Sequence, residues 1–173
     1  ARRQRQMCIR DSTLTYPCHA TIATGCWPDR TGINNNEIPD FFAKGRMDWY
    51  WWREAIQVPT VVDFARQAGL TASTVTWPVM CASGAEYNIG EIWAPREEDD
   101  PTPWFTRANS PAVAEIFEAN KHMLRWMKTP QMDEFAAKCA ADIIRAHRPD
   151  LMLLHLSYVD HQRHRLGVHG DLE

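Results

Sequence analysis

The sequence predicts an α/β fold built on a parallel sheet. Residues 59–69 carry a proline start and a glycine stop around helically spaced apolar side chains, and strand-like residues 70–77 follow at once. A helix that gives way to a strand within two residues is the αβ step of a parallel sheet. Residues 150–156 repeat the theme: an unbroken apolar run directly after a second helical pattern, suited to a strand buried on both faces. The 173 residues are enough for one domain around one core.

In chain order, Pro17 suits the first turn of a helix over 17–24, because its missing N–H costs nothing there. Thr15 falls near the N-cap, and Gly25 can end the helix. Residues 34–40 are polar and turn-rich, hence a loop. Residues 48–56 are aromatic and suit an extended segment. Trp49, Trp51 and Trp52 there either pack beneath a loop or present one ring to a cleft. In the helix over 59–69, the predicted buried stripe is Val61, Val62, Phe64, Ala65 and Ala68. Val75 and Trp77 point inward on the strand that follows, which Pro78 ends. A short strand is expected over 88–93 and a loop over 96–103. Ser110 caps and Pro111 opens a helix striped by Val113, Ile116, Phe117, Leu124 and Met127, with Asn120 interrupting the stripe. Thr129 and Pro130 open another helix, striped by Met132, Phe135, Ala136, Cys139, Ile143 and Ala146. His122 and His147 fall on exposed faces.

Composition narrows the function classes. With 45% hydrophobic and 24% charged residues, the chain is an ordinary globular protein rather than a disordered one. A net charge of −3 provides no basic surface for nucleic acid. No apolar run is long enough for a membrane span. Five cysteines in no zinc-ribbon or CxxC spacing read as free packing thiols rather than as a disulfide framework.

Two stretches carry chemistry. In the first, Thr15 stands at a helix start, where free N–H groups and the helix dipole favour an anion such as a phosphoryl group. In the second, Asp160 and His164 lie four apart just past the apolar run of 150–156, beyond the carboxyl end of a strand, where ligands of open α/β sheets gather. If that segment turns helically, a carboxylate and an imidazole so spaced can close on one metal.

Thr15-Tyr16-Pro17-x-His19, then Thr24-Gly25-x-x-Pro28, then Gly32-Ile33-x-x-Asn36 resembles the nucleophile region of the nucleotide pyrophosphatase/phosphodiesterase family. That family belongs to the alkaline phosphatase superfamily. Asp160-x-x-x-His164-x-x-Gly167 resembles the same family's metal motif. The resemblance implies an alkaline-phosphatase-like α/β/α sandwich with a parallel sheet, of which only a partial domain is present. It implies a hydrolase of phosphodiester or nucleotide pyrophosphate bonds that works through a phosphoryl-threonine intermediate. Two divalent metal ions, zinc, are implied. Thr15 would be nucleophile and ligand of one, and Asp160 and His164 ligands of the other. Asn36 and the Thr15 N–H would hold a phosphate oxygen. The substrate would be a small phosphodiester, nucleotide or phosphonate, and the compartment periplasmic or extracellular.

The chain also departs from the pattern. In nucleotide-cleaving members an aromatic beside the nucleophile and a tyrosine before the metal aspartate clamp the base. Tyr16 matches the first, but His155 takes the second position, which keeps phosphonates open as substrates. The other metal ligands implied by the family have no counterpart within the chain, so the fragment itself is expected to be inactive. An arylsulfatase-like reading shares the Thr24–Gly32 run but needs a cysteine or serine where Thr15 stands. A binding module without chemistry would have no use for Thr15, Asn36, Asp160 and His164 together. At the start of the chain, Met7 to Ser12 is similar to the translation of a transposon-end adaptor used in sequencing libraries. Residues 1–12 are therefore expected to be adaptor-derived or a disordered tail, and 13–173 the partial catalytic domain.

Overall fold

A computed structural model describes residues 14–38, 48–92, 102–124 and 130–167. Three parallel strands, β1 (Ala72–Val75), β2 (Tyr87–Ile89) and β3 (Leu151–Leu154), form a sheet in the order β2-β1-β3. Ser73 pairs with Tyr87 on one side of β1 and with Met152 on the other. The central strand is buried throughout although two of its four residues are polar. Its hydroxyls are satisfied locally: Ser73 Oγ donates to the Tyr87 carbonyl at 2.8 Å, and Thr74 Oγ1 bonds Asn88 and Ser83. A buried polar group without such partners would be costly.

Side-chain alternation gives the sheet two covered faces. On one, Ala72, Leu151 and Leu153 pack with Val62 of α3 (Val61–Gln67). On the other, Val75, Ile89, Met152 and Leu154 join the main core with Phe135, Ala136, Cys139, Ala140 and Ile143 of α6 (Gln131–His147). Helix, sheet and helix stack in three layers. The remaining helices are α1 (Thr15–Thr24), α2 (Pro28–Thr31), α4 (Thr102–Ala108), α5 (Ala114–Asn120) and α7 (Tyr158–Leu166).

Several expectations are corrected. Helix α1 starts two residues before the expected 17, so Thr15, next to the N-cap Leu14, is its first residue, and Leu14 makes no side-chain bond. Gly25 does end the helix, at φ 68°, with its N–H on the Thr21 carbonyl. In α3 only Val62 and Ala65 are buried, while Phe64 stays 56% exposed and Val61 38%. A seven-residue helix lying on one strand offers a single narrow face, and an i, i+3 pair fills it. Its N-terminus is held by a capping box between Thr60 and Asp63, and Arg53 clamps Asp63 at 2.6 Å.

Ser110 does not cap a helix. Its hydroxyl accepts from Asn88 N–H and donates to the Glu86 carbonyl, both at the outer edge of β2. The chain after it forms a 3₁₀ turn and then the short α5. Asn120 does not interrupt a stripe: it is buried, and its amide donates to the Ile116 carbonyl and to Asp142 of α6. Helix α4 falls partly where a loop was expected, although Thr102-Pro103 repeats the start signal read at Ser110-Pro111. In α6, Ala146 is exposed. Strand β3 is half-buried, not buried on both faces, because it is an edge of the described sheet. Strand β2 is shorter than the 88–93 expected, ending at Ile89. Residues 1–13, Trp93, Met127, Thr129 and His169 lie outside the described residues. Among the described residues no disulfide joins Cys18, Cys26, Cys81 or Cys139, and Cys81 and Cys139 are buried.

Candidate active site

The sequence-predicted residues sit on two elements. The first is α1, whose ten residues run from Thr15 to Thr24, with Gly25 as its C-cap. Asn36 reaches across to its first turn, and the Tyr16 N–H donates to Asn36 Oδ1 at 2.9 Å. Because an N–H must meet an oxygen, the Asn36 amide is oriented: its NH₂, the donor end, is left for another acceptor. The Asn36 backbone is held as well, its carbonyl accepting from Tyr50 N–H.

The second element is α7, which begins just beyond the carboxyl end of β3. Asp160 and His164 are one helical turn apart on it, with Oδ2 to Nε2 at 3.5 Å. Both side chains face outward, 65% and 81% exposed. His161 lies on the same helix. Gly167 ends the helix at φ 76°. A carboxylate oxygen and an imidazole nitrogen at this spacing fit a zinc ion as two of its ligands. Among the described residues no group of three His, Cys, Asp or Glu side chains converges for one ion.

A pair of histidines lies between the two elements. His19, one turn along α1 from Thr15, bonds the Thr15 carbonyl through Nδ1 at 2.7 Å. Its ring stands 4.4 Å from that of His155, the residue that follows β3, and 4.9 Å from Trp77, just beyond β1. Burial lowers the His19 pKa, while the bond to Thr15 and the Asp160 carboxylate oppose that shift. Burial, with His19 adding to it, pushes His155 down to about 4; Asp133 and Asp160 pull the other way. The Asp160 carboxylate is thus felt electrostatically by both rings. Helix α1 thus lies at the carboxyl end of the sheet, where the His19–His155 contact joins it to the turn that leads into α7.

The loop that follows β1 borders the same region and is strained. Thr76, Val79 and Ala82 adopt φ of 49°, 60° and 53°, a conformation that costs roughly 1–3 kcal/mol per non-glycine residue. Thr76 Oγ1 ties this loop to the carbonyl of His155 at 2.8 Å.

Tyr16 is where the structure departs most from the sequence-based expectation. Its ring is 1% exposed. Trp49 and Trp51 meet it edge-on at 5.3 and 6.1 Å, and these two indoles stack on each other at 5.6 Å. A ring enclosed in this way offers no face to a nucleotide base. Of the two readings of the tryptophan segment, packing is the one seen for Trp49 and Trp51, whereas Trp52 takes the Arg107 guanidinium over its face at 4.4 Å.

Two residues escaped the sequence reading. Asp133, in the first turn of α6, accepts from the N–H groups of Ser157 and Tyr158 at 2.8 and 2.9 Å and so holds the start of α7. Its position three residues after Pro130, in the first turn of a helix, was the available signal. Glu91 is buried and accepts from the Tyr16 hydroxyl at 3.1 Å. An acidic residue between Ile89 and Ile92 was its only sign in the sequence.

Comparison with known proteins agrees with this architecture. The chain resembles the structure of phosphonoacetate hydrolase from Sinorhizobium meliloti 1021 in complex with phosphonoacetate. The TM-score is 0.54 at 20% identity, covering 87% of this chain and 37% of that one. The structure of the same hydrolase with phosphonoformate gives the same values. At this identity the likeness is one of fold, and the chain spans little more than a third of that protein's length. No curated protein sequence matches. The family described as Type I phosphodiesterase / nucleotide pyrophosphatase matches residues 11–173, nearly the whole chain. The α/β/α layers and parallel sheet are alkaline-phosphatase-like, and the chain belongs to the type I phosphodiesterase / nucleotide pyrophosphatase family.

Proposed function

We propose that this chain is part of a metal-dependent hydrolase that cleaves phosphodiester or nucleotide pyrophosphate bonds through a phosphoryl-threonine intermediate. The observation that carries the proposal is that α1 and the start of α7 are linked at one end of the sheet by the His19–His155 contact, close enough for Asp160 to act on both rings, with Thr15 on the first turn of α1 and the Asp160–His164 pair on α7. In this reading Thr15, Asp160 and His164 hold metal ions. Bound divalent cations supply the Lewis acidity that makes a threonine hydroxyl nucleophilic near neutral pH.

The chain's own residues account for the rest. The Thr15 N–H and the dipole at the start of α1 draw a phosphoryl group, since the Tyr16 N–H is taken by Asn36 and Pro17 has none. The Asn36 NH₂, the donor end left by the bond that its oxygen accepts, donates to a non-bridging phosphate oxygen. Thr15 Oγ forms a bond to phosphorus as the bond to the leaving oxygen breaks, and the hydroxyl proton ends on that leaving group. Water then cleaves the phosphothreonine ester, returning the hydroxyl and releasing the phosphate monoester that keeps the substrate's other ester group. His19 and His155, neutral at pH 7, add no positive charge beside the site.

A phosphonate substrate is the second reading. It is favoured by the enclosed Tyr16 ring and by His155 at the end of β3, where no aromatic clamp for a base is formed. It also accords with the phosphonates bound by the structurally similar hydrolase. The test is turnover of bis(p-nitrophenyl) phosphate and of phosphonoacetate by the full-length protein and its Thr15→Ala variant. The proposal expects diester turnover in the parent, with a loss of at least about a thousandfold in the variant. Equal turnover in the variant refutes the assignment of the nucleophile. Activity on phosphonoacetate alone selects the second reading.

A further inference from the structure

Among the described residues Glu91 is the one buried acidic side chain, and the proposed mechanism makes no use of it. A carboxyl group in a core is expensive to desolvate, and a leucine or methionine would fill the space at lower cost. Glu91 Oε2 accepts from the Tyr16 hydroxyl at 3.1 Å. Tyr16 follows Thr15 directly. Its ring is wedged against Trp49 and Trp51, and its N–H holds Asn36 Oδ1. The segment bearing Glu91 is itself pinned: the Cys81 thiol bonds the Glu91 carbonyl at 3.2 Å, and Gly90 N–H donates to Asn109. An added Cβ at Gly90 would come within 2.7 Å of Cys81 Sγ and 2.8 Å of Ala108 Cβ, so this backbone fits against its neighbours without slack.

We propose that Glu91 is a positioning residue for the Thr15–Asn36 pair, acting through the Tyr16 side chain. A single tyrosine links the buried carboxyl to both functional groups: its ring end is anchored by Glu91, and its backbone end sets the Thr15 turn and the Asn36 amide. Burial raises the Glu91 pKa to about 8, so near neutrality the carboxyl is largely protonated and adds little negative charge beside an anion site. This inference rests on the proposed function for its link to catalysis, but its structural half is testable separately.

The test uses Glu91→Met, Glu91→Gln, Tyr16→Phe and the double variant Tyr16→Phe/Glu91→Met. The first readout is amide exchange at Tyr16 in this chain, measured by NMR. The second is kcat and KM in the full-length protein. Glutamine can still accept from the tyrosine; methionine and phenylalanine remove one partner each while keeping bulk. Glu91→Met and Tyr16→Phe should each raise Tyr16 amide exchange about tenfold and lower kcat by a similar factor with KM little changed. Glu91→Gln should retain most of both. The double variant should cost no more than either single change, since both break one link. Unchanged exchange and kcat in folded Tyr16→Phe, or fully additive losses in the double variant, overturn the proposal. Should Glu91→Met fail to fold, Tyr16→Phe and Glu91→Gln still decide. If exchange responds as expected but Thr15→Ala keeps full turnover, the positioning network stands and the proposed function falls.

Discussion

His155 shows how position sets chemistry for a single residue. The side chain follows a strand of the sheet, half-buried, with another imidazole 4.4 Å away. Both circumstances disfavour a proton, and the pKa falls from 6.5 to about 4. In the unfolded chain the same ring takes up a proton below about 6.5. Between those two values the unfolded state binds more protons, so stability rises with pH across this window. Above it the contribution is complete; below about 4 nothing more is lost. On going from pH 7 to pH 5, His155→Phe should therefore lose less thermal stability, or gain more, than the parent, because comparing the two proteins cancels the pH dependence of the other groups. An identical pH dependence in that variant would assign the slope to other groups. Glu91 bears on stability with the opposite slope. Its raised pKa keeps the proton in the folded state, so its contribution falls as pH rises from 4.5 towards 8. The histidine's place after a strand was legible in the sequence, because the apolar run before it was. Its partner was not, since His19 and His155 meet only through the packing of α1 on the sheet.

Elements act here through their ends. Helix α7 has a low apolar content and no buried residue, so the core contributes little to holding it. Its N-terminus is held by Asp133, whose two oxygens take the Ser157 and Tyr158 N–H groups. A carboxylate at that point also complements the helix dipole. Asp133→Ala should destabilise α7 by about 1 kcal/mol, read as roughly fivefold faster amide exchange along residues 158–166. In the full-length protein the same change should weaken the zinc binding proposed for Asp160 and His164 by about tenfold, although both ligands are kept. Unaltered exchange in α7 would contradict this account of its anchoring. The sequence announced the helices that begin with Ser or Thr before Pro less reliably than it announced strands. Thr102-Pro103 starts α4 and Ser110-Pro111 only a 3₁₀ turn, because the Ser110 hydroxyl is committed to the edge of β2. A dipeptide signals that a helix can start; tertiary bonds decide whether it does. The stripe of α3 failed for a similar reason. Periodicity named five apolar positions, but a short helix over one strand had room for two.

For the whole molecule, the fold was readable and the site only in outline. The αβ step and the late apolar strand were enough to give a parallel sheet, and the three-layer arrangement follows from two faces that both need cover. The Thr15 and Asp160 motifs were visible as spacings. Their approach through His19 and His155 depends on which strands are neighbours, and order in a sheet is not written in local pattern. Tyr16 was misread for want of the same information: an aromatic beside a reactive residue looks like a clamp until its cage of Trp49 and Trp51 is seen.

Crystallography of the full-length protein with zinc and inorganic phosphate addresses the convergence of α1 and α7 most directly, using anomalous scattering at the zinc edge. The account predicts an anomalous peak bonded to Asp160 and His164, with a phosphate oxygen in contact with the Thr15 hydroxyl and another with the Asn36 NH₂. Zinc bound away from Asp160 and His164, or a phosphate that leaves Thr15 untouched, would contradict it.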